Sequence, residues 1–202
     1  MSDDHRTVPS DEDLIDRSLG GDRNALEQLL RRHHDRILAV CHRLCRDHGD
    51  AEDAAQEALI AIVRGLDRFD RRSRFSTWAY RVTTNCCMDE LRRRRRRPDP
   101  LDDARMPTTI AADPGPDLIV EGRDQWRTLA AVLDELPEEF RVPLVLRDVA
   151  DLDYAAIGEI LDLPPGTVRS RIARGRSRVA RRLEAGNQDA ADGVTDMRPP
   201  RP

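Results

Sequence analysis

The chain has 202 residues, room for one or two domains with modest cores. Apolar residues make up 39%, charged residues 36% and aromatics only 3%, so any core must be built from Leu, Val, Ile and Ala, which favours helices over sheets. The net charge is −4 and no run of about 18 apolar residues could cross a membrane; the polar, acidic start has no secretory pattern, so a cytoplasmic protein is expected.

Charge is unevenly spread. All 34 basic residues are Arg. Residues 1–30 carry eight acids against three Arg, residues 71–97 carry ten Arg against Asp89 and Glu90, and residues 164–185 carry seven Arg against Glu184. Two concentrated basic stretches in a mildly acidic chain suit local contact with a polyanion. Guanidinium groups are always charged and planar, which fits phosphates and base edges.

Residues 1–9 read as a loose polar leader. Ser10 with Asp13 forms a capping-box-like start for a short helix to Leu19, stopped by Gly20 and Gly21. A second helix begins near Asp22 or Arg23, carries Leu26, Leu29, Leu30, Ile37, Leu38, Cys41 and Leu44 at helical period, and ends at Gly49. Asp50 is expected to cap a third helix with Ala51, Ala54, Ala55, Ala58, Leu59, Ile62, Val63 and Leu66 on one stripe. A loop over 67–74 precedes a long helix capped by Ser76 and ended by Pro98. Together these predict an all-α bundle over residues 10–97.

Residues 98–124 hold five prolines and seven acids and read as an acidic, flexible linker. A second helical domain spans 125–185, with helices over Gln125–Leu136, Pro137 to about Val149, Tyr154–Leu161 and Pro165 to Glu184. A Gly-, Asp- and Pro-rich tail over 186–202 is expected to be disordered.

Residues 151–183 carry the sharpest motif. Asp153 caps a helix containing Ala156, Ile157, Ile160 and Leu161. Ala156 is the small residue expected to face a crossing helix. Asp162, Leu163 and Pro164 make a turn, and the following helix buries Val168, Ile172, Val179 and Leu183. Thr167, Arg169, Ser170, Arg171, Arg174 and Arg176 lie along or beside its open side. This is a helix-turn-helix, spanning 153–176, whose second helix can enter a major groove. Arg can hold guanine O6 and N7 there, while Arg on other turns grips phosphates.

Three stretches in fixed order resemble the extracytoplasmic-function (ECF) subfamily of bacterial sigma-70-type factors: DAEDAAQEALIAIVRGLDRFD (50–70), RFSTWAYRVTTNCCMDELRRRRR (74–96) and LDELPEEFRVPLVLRDVADLDYAAIGEILDLPPGTVRSRIARGRSRV (133–179). The resemblance implies a sigma-2-like N-terminal bundle and a sigma-4-like C-terminal domain. It implies that Asp50, Glu52, Asp53, Gln56 and Glu57 bind core RNA polymerase, through its beta and beta-prime subunits. It implies that Arg71, Arg72, Arg74, Phe75, Trp78, Tyr80, Arg81, Asn85, Arg92 and Arg93 meet the −10 DNA, where Arg holds the backbone and rings accept unstacked bases. The helix-turn-helix then reads the −35 element. An anti-sigma factor is an implied regulator, membrane insertion is not.

Two other readings compete. A stand-alone DNA-binding regulator would leave the acidic helix over 50–66 without a partner. A metal or redox sensor would use Cys41, Cys45, Cys86 and Cys87, whose spacing is not that of a zinc ribbon, so core thiols are the expectation. No nucleophile–base pair, glycine-rich phosphate loop or paired carboxylates mark a catalytic site, and neither enzyme activity, metal nor cofactor is expected.

Overall fold

A computed structural model describes residues 8–45, 47–96 and 129–195, with side chains through 185. The linker over 98–124 and the first residues of the helix expected from Gln125 lie outside the described residues. The described residues are all-α. The helices are α1 (Asp11–Leu19), α2 (Arg23–Leu44), α3 (His48–Gly65), α4 (Phe75–Arg96), α5 (129–135), α6 (Glu138–Asp148), α7 (Tyr154–Leu161) and α8 (Pro165–Thr195), with a 3-10 turn over Leu66–Arg68.

Local chemistry explains most helix starts. The Ser10 side chain accepts from Asp13 N–H while the Asp13 carboxylate accepts from Ser10 N–H, a reciprocal capping box. Asp22 caps α2 by accepting from the N–H groups of Asn24 and Ala25. Asp153 caps α7 through Ala156 N–H at 2.8 Å. Glu138 and Glu139 fill the first turn of α6, where the helix dipole favours acids.

Four expectations need correction. Helix α3 is capped by Asp47, not Asp50: the Asp47 carboxylate accepts from Gly49 N–H at 2.9 Å and Asp50 N–H at 3.2 Å, so Gly49 lies inside the first turn. A first-turn glycine donates to the cap and gives up little. Helix α4 starts at Phe75, one residue before the expected Ser76 cap. Val63 does not join the buried stripe of α3 but is 40% exposed. Helix α8 passes Gly186 and runs to Thr195; a helical glycine costs only about 1 kcal/mol relative to Ala, and no proline follows before Pro199.

In the N-terminal half, α2, α3 and α4 pack on one another and α1 lies across α2. Their shared core holds Leu14, Ile15, Leu29, Ile37, Leu44, Ala54, Ala58, Ile62 and Tyr80. Small alanines on α3 let α2 and α4 approach closely. In the C-terminal half, α6 packs on α8 and α7 crosses α8. Glycine is required at one point there. A Cβ on Gly158 would lie 2.6 Å from the Leu163 carbonyl oxygen, and Leu163 N–H donates back to the Gly158 carbonyl at 3.0 Å. The turn of the helix-turn-helix therefore requires glycine at 158, while Ala156 packs partly buried against the core. Asp162 ends α7 in the left-handed region at φ 53°, which Asp tolerates better than branched residues.

Two predictions follow from the packing. Gly158→Ala should force the turn apart at a cost of about 1–3 kcal/mol, read as a lower urea midpoint with an unchanged m-value. At the α2–α3 corner, His42 and His48 stack with ring centroids 4.8 Å apart. Burial, and then the neighbouring His48, hold the His42 imidazole below its ordinary value. The folded state therefore binds fewer protons there than the unfolded chain, so this stability is present above about pH 6.5 and is lost as pH falls below it. Thermal midpoints should drop between about pH 7 and 5, and His42→Gln should flatten that slope; an equal slope in the variant counts against the assignment.

Candidate polymerase and DNA interfaces

At about 100° per residue, Gln56, Ile60, Asp53 and Val63 share the outer face of α3, opposite its alanine core stripe. Ile60 is 43% exposed, and sequence reading passed it over because a single isoleucine among core residues carries no signal of facing outward. Leu59, one turn before Val63, lines an apolar groove of about 450 Å³ with Leu26 and Leu30 of α2, bordered by Arg23, Glu27, Arg31 and His34. The outer face thus joins one acid, one amide and two exposed aliphatics.

The remaining acids on α3 are engaged in ion pairs with neighbouring side chains. Glu57 accepts from Arg93 at 3.0–3.2 Å. Asp50 accepts from Arg94, and Glu52 pairs with His48 at 3.1 Å. Arg93 also reaches Glu90, 2.9 Å away and 1% exposed. These partners raise the already high Arg93 pKa, the Glu57 hydrogen bond most of all. Two members of the arginine run are therefore engaged with α3 carboxylates. Arg92 pairs with Asp89, one turn before it, at 2.8 Å.

Around the loop over 69–74, Phe69, Phe75, Trp78 and His33 form one ring cluster. Centroids lie 5.3 Å apart for Phe69–Trp78, 5.8 Å for Phe75–Trp78 and 5.1 Å for His33–Phe75. Gly65 leaves room for the indole: a Cβ there would sit 3.1 Å from it. Phe75 and Tyr80 are core residues, 3% and 2% exposed, so neither ring presents a face to a DNA base as the sequence reading expected. The 3% aromatic content makes every ring valuable to the core. Burial pushes the Tyr80 phenol up, against the pull of Arg36. Trp78 alone of the three keeps partial exposure. Arg71, Arg72, Arg74 and Asn85 are exposed, while Arg81 is half-buried with its guanidinium 4.0 Å from Glu159 of α7.

On α8, Val168, Ile172 and Gly175 face inward, where Gly175 lies tight against the Phe140 carbonyl of α6. Thr167, Ser170, Arg171 and Arg174 share the opposite side. Arg171 and Arg174 have no ion pair among the described residues. Arg169 sits on the flank with its guanidinium 5.4 Å from the Tyr154 ring, and Arg176 pairs with Asp148 of α6 at 2.5 Å. That pair makes Arg176 a tie between α6 and α8. Arg178 covers the Phe140 ring at 4.3 Å. An apolar groove of about 410 Å³ lies between α5, α6 and α8, lined by Leu129, Leu133, Val145, Val149, Val179 and Leu183 among others.

The thiols sit between α2 and α4. Cys41 and Cys87 sulfurs are 3.6 Å apart and both are buried. Burial pushes the Cys86 thiol up to about 11, which leaves it protonated and unreactive near neutral pH. Among the described residues no group of three or more His, Cys, Asp or Glu is arranged to hold a metal ion.

A helical bundle with an acid-and-aliphatic outer face, followed by a helix-turn-helix with an open arginine face, defines a two-part sigma-type transcription factor. Residues 29–97 match the family Sigma-70 region 2, and residues 126–179 match Sigma-70 region 4. The chain is 39% identical over 165 residues to the ECF RNA polymerase sigma factor SigE of Mycolicibacterium smegmatis, covering 79% of this chain and 63% of that one. It is 35% identical over 172 residues to the ECF RNA polymerase sigma factor SigW of Bacillus subtilis, covering 81% and 91%. CnrH, solved in complex with the cytosolic domain of CnrY, shares the fold with TM-score 0.66 at 22% identity, covering 87% of this chain and 97% of CnrH. RpoE of Bartonella quintana, solved with the anti-sigma factor NepR, gives TM-score 0.66 at 23% identity, covering 78% and 96%. The chain belongs to the ECF subfamily of RNA polymerase sigma factors.

The burial pattern separates structural from interface residues. Phe75→Ala should cost about 3–5 kcal/mol of folding stability, whereas Arg174→Ala should leave chemical denaturation within about 0.5 kcal/mol of wild type. Equal losses in the two variants would place Arg174 in the core and contradict the exposed face.

Proposed function

We propose that this chain binds core RNA polymerase and directs promoter-specific initiation, with the N-terminal bundle (10–97) on core and the −10 element and the helix-turn-helix domain (125–185) on the −35 element. The observation that carries it is the open face of α8, where Thr167, Ser170, Arg171 and Arg174 stand together with their arginines unpaired. In a major groove such a face can read base edges, with Arg169 and Arg178 placed on its flanks for phosphates.

Asp53 and Gln56, with Ile60 and Val63, form the polymerase-docking face on α3. Glu52 lies at its edge, whereas Asp50 and Glu57 support it from within through Arg94 and Arg93. The −10 strand is met by Arg72, Arg74, Trp78, Asn85 and Arg92, while Phe75 and Tyr80 shape the surface from beneath. Chemistry belongs to the polymerase and the chain has no catalytic role of its own. It works in the cytoplasm, and no described helix is long and apolar enough to cross a membrane. The segment over 98–124 links the two reading heads. By analogy with the anti-sigma factor that accompanies the Bartonella quintana RpoE, an anti-sigma factor restrains this chain too.

Run-off transcription with purified core polymerase tests the reading. Wild type should direct discrete promoter transcripts, and Arg171→Ala or Arg174→Ala should lower them about 5- to 100-fold on a −35-dependent promoter, the loss of one arginine–base contact. Trp78→Ala should impair opening more than closed-complex binding. Promoter-directed transcripts undiminished in all three variants would refute the assignments.

A further inference from the structure

One feature near the −10 surface is not accounted for by DNA contact. Arg71 holds φ at 59°, one of three non-glycine residues at positive φ among those described. An arginine in this region persists only where its surroundings over-determine it. Its guanidinium is partly exposed but engaged. It reaches across 55 residues of sequence to the Asp16 carboxylate on α1.

We propose that Asp16 is a positioning residue: it anchors Arg71, fixes the loop over 69–74, and so sets how that loop meets the melted −10 strand. This rests on the reading that the loop faces the −10 strand. The support for Asp16 is rigid. Its neighbours Leu14 and Ile15 are 0% and 1% exposed, so α1 cannot roll. The start of α1 is tied to α2, with Asp11 accepting from Arg32 at 2.6 Å and lying 2.8 Å from the His33 ring. Glu12, one turn before Asp16, adds negative potential at Arg71. Within the loop, Asp70 accepts from Arg72 N–H at 3.1 Å, and the Phe69 ring is held by Phe75 and Trp78.

These ties divide the loop arginines. Arg71 is turned to α1 and acts as the anchor. Arg72, whose guanidinium lies 3.2 Å from Asp70 within the loop but whose side chain is 88% exposed, and Arg74 remain as the cations open to the strand. The ion pair itself is exposed, at 44% and 62% for its two side chains, so its influence is modest and sensitive to salt.

The test has two readouts. In the free protein, Asp16→Asn should speed amide hydrogen exchange over residues 70–73 by about two- to five-fold. In holoenzyme, the same variant should change the relative use of promoters bearing single-base −10 substitutions, with −35 dependence unchanged. The exchanged pair Asp16→Arg with Arg71→Asp should restore both readouts, since Asp accepts the left-handed conformation. Wild-type exchange rates in Asp16→Asn would overturn the anchor. Faster exchange with an unaltered −10 profile would overturn the positioning role, and if Arg72→Ala also leaves that profile unaltered, the −10 reading of the loop itself fails. A double variant that stays as impaired as the singles would overturn the pairing.

Discussion

The contact on which the pairing of α3 with α4 turns is Arg93 between Glu57 and Glu90. Glu90 is 1% exposed on α4, and a buried carboxylate without a counter-charge is strongly destabilising. Arg93, one turn on, supplies that charge and extends to Glu57 on α3. The C-terminal end of α4 is thereby tied to α3. The same side chain cannot be both this clamp and a free phosphate contact. A run of six arginines is thus a mixture, in which Arg93 and Arg94 face α3 and Arg92 turns to Asp89.

The cysteine arrangement fits the same economy of small residues. With 3% aromatics, the core fills its α2–α4 seam with Cys41, Cys45 and Cys87 beside the alanines of α3. Thiols there behave as compact apolar groups. The close sulfur pair is a packing contact between helices, and the hydrogen bonds of the Cys87 thiol with Cys41 and Cys45, then burial, disfavour the thiolate that redox chemistry or metal binding would need.

What the sequence made legible was local or periodic. The Ser10–Asp13 box, the Asp22 and Asp153 caps, Pro137 before α6 and the turn at 162–164 each depend on residues within four positions. The inward stripe of α8 follows the same logic. What stayed hidden was non-local or rested on a single backbone angle. No spacing rule says that Arg176 meets Asp148, that Arg71 reaches Asp16, or that Gly158 faces a carbonyl five residues on. Asp50 read as the cap from residue type and spacing, whereas Asp47 holds that place and Asp50 is engaged by Arg94 from α4. Val63 read as core because aliphatic residues at helical spacing usually are; an interface borrows the same residues and leaves them exposed. The aromatic–arginine mixture over 71–81 suggested base stacking, yet a chain this poor in rings needs Phe75 and Tyr80 inside.

The contact between the two halves carries a different physics. Helix α2 meets α6 and α4 meets α7, and the charged pairs there include Arg95 with Glu138 and Arg81 with Glu159. Those side chains are 37–68% exposed, and ion pairs of that kind contribute roughly 0–1 kcal/mol each. Interfaces within a chain that rest on such contacts do not commit it to one arrangement. Arg81 shows what is at stake. Beside Glu159, its Nε is buried without an acceptor, so it is poorly satisfied where it stands. A phosphate would satisfy it better than a carboxylate at 4.0 Å. The seam therefore combines an apolar core to which both halves contribute with exposed ion pairs that add little on their own.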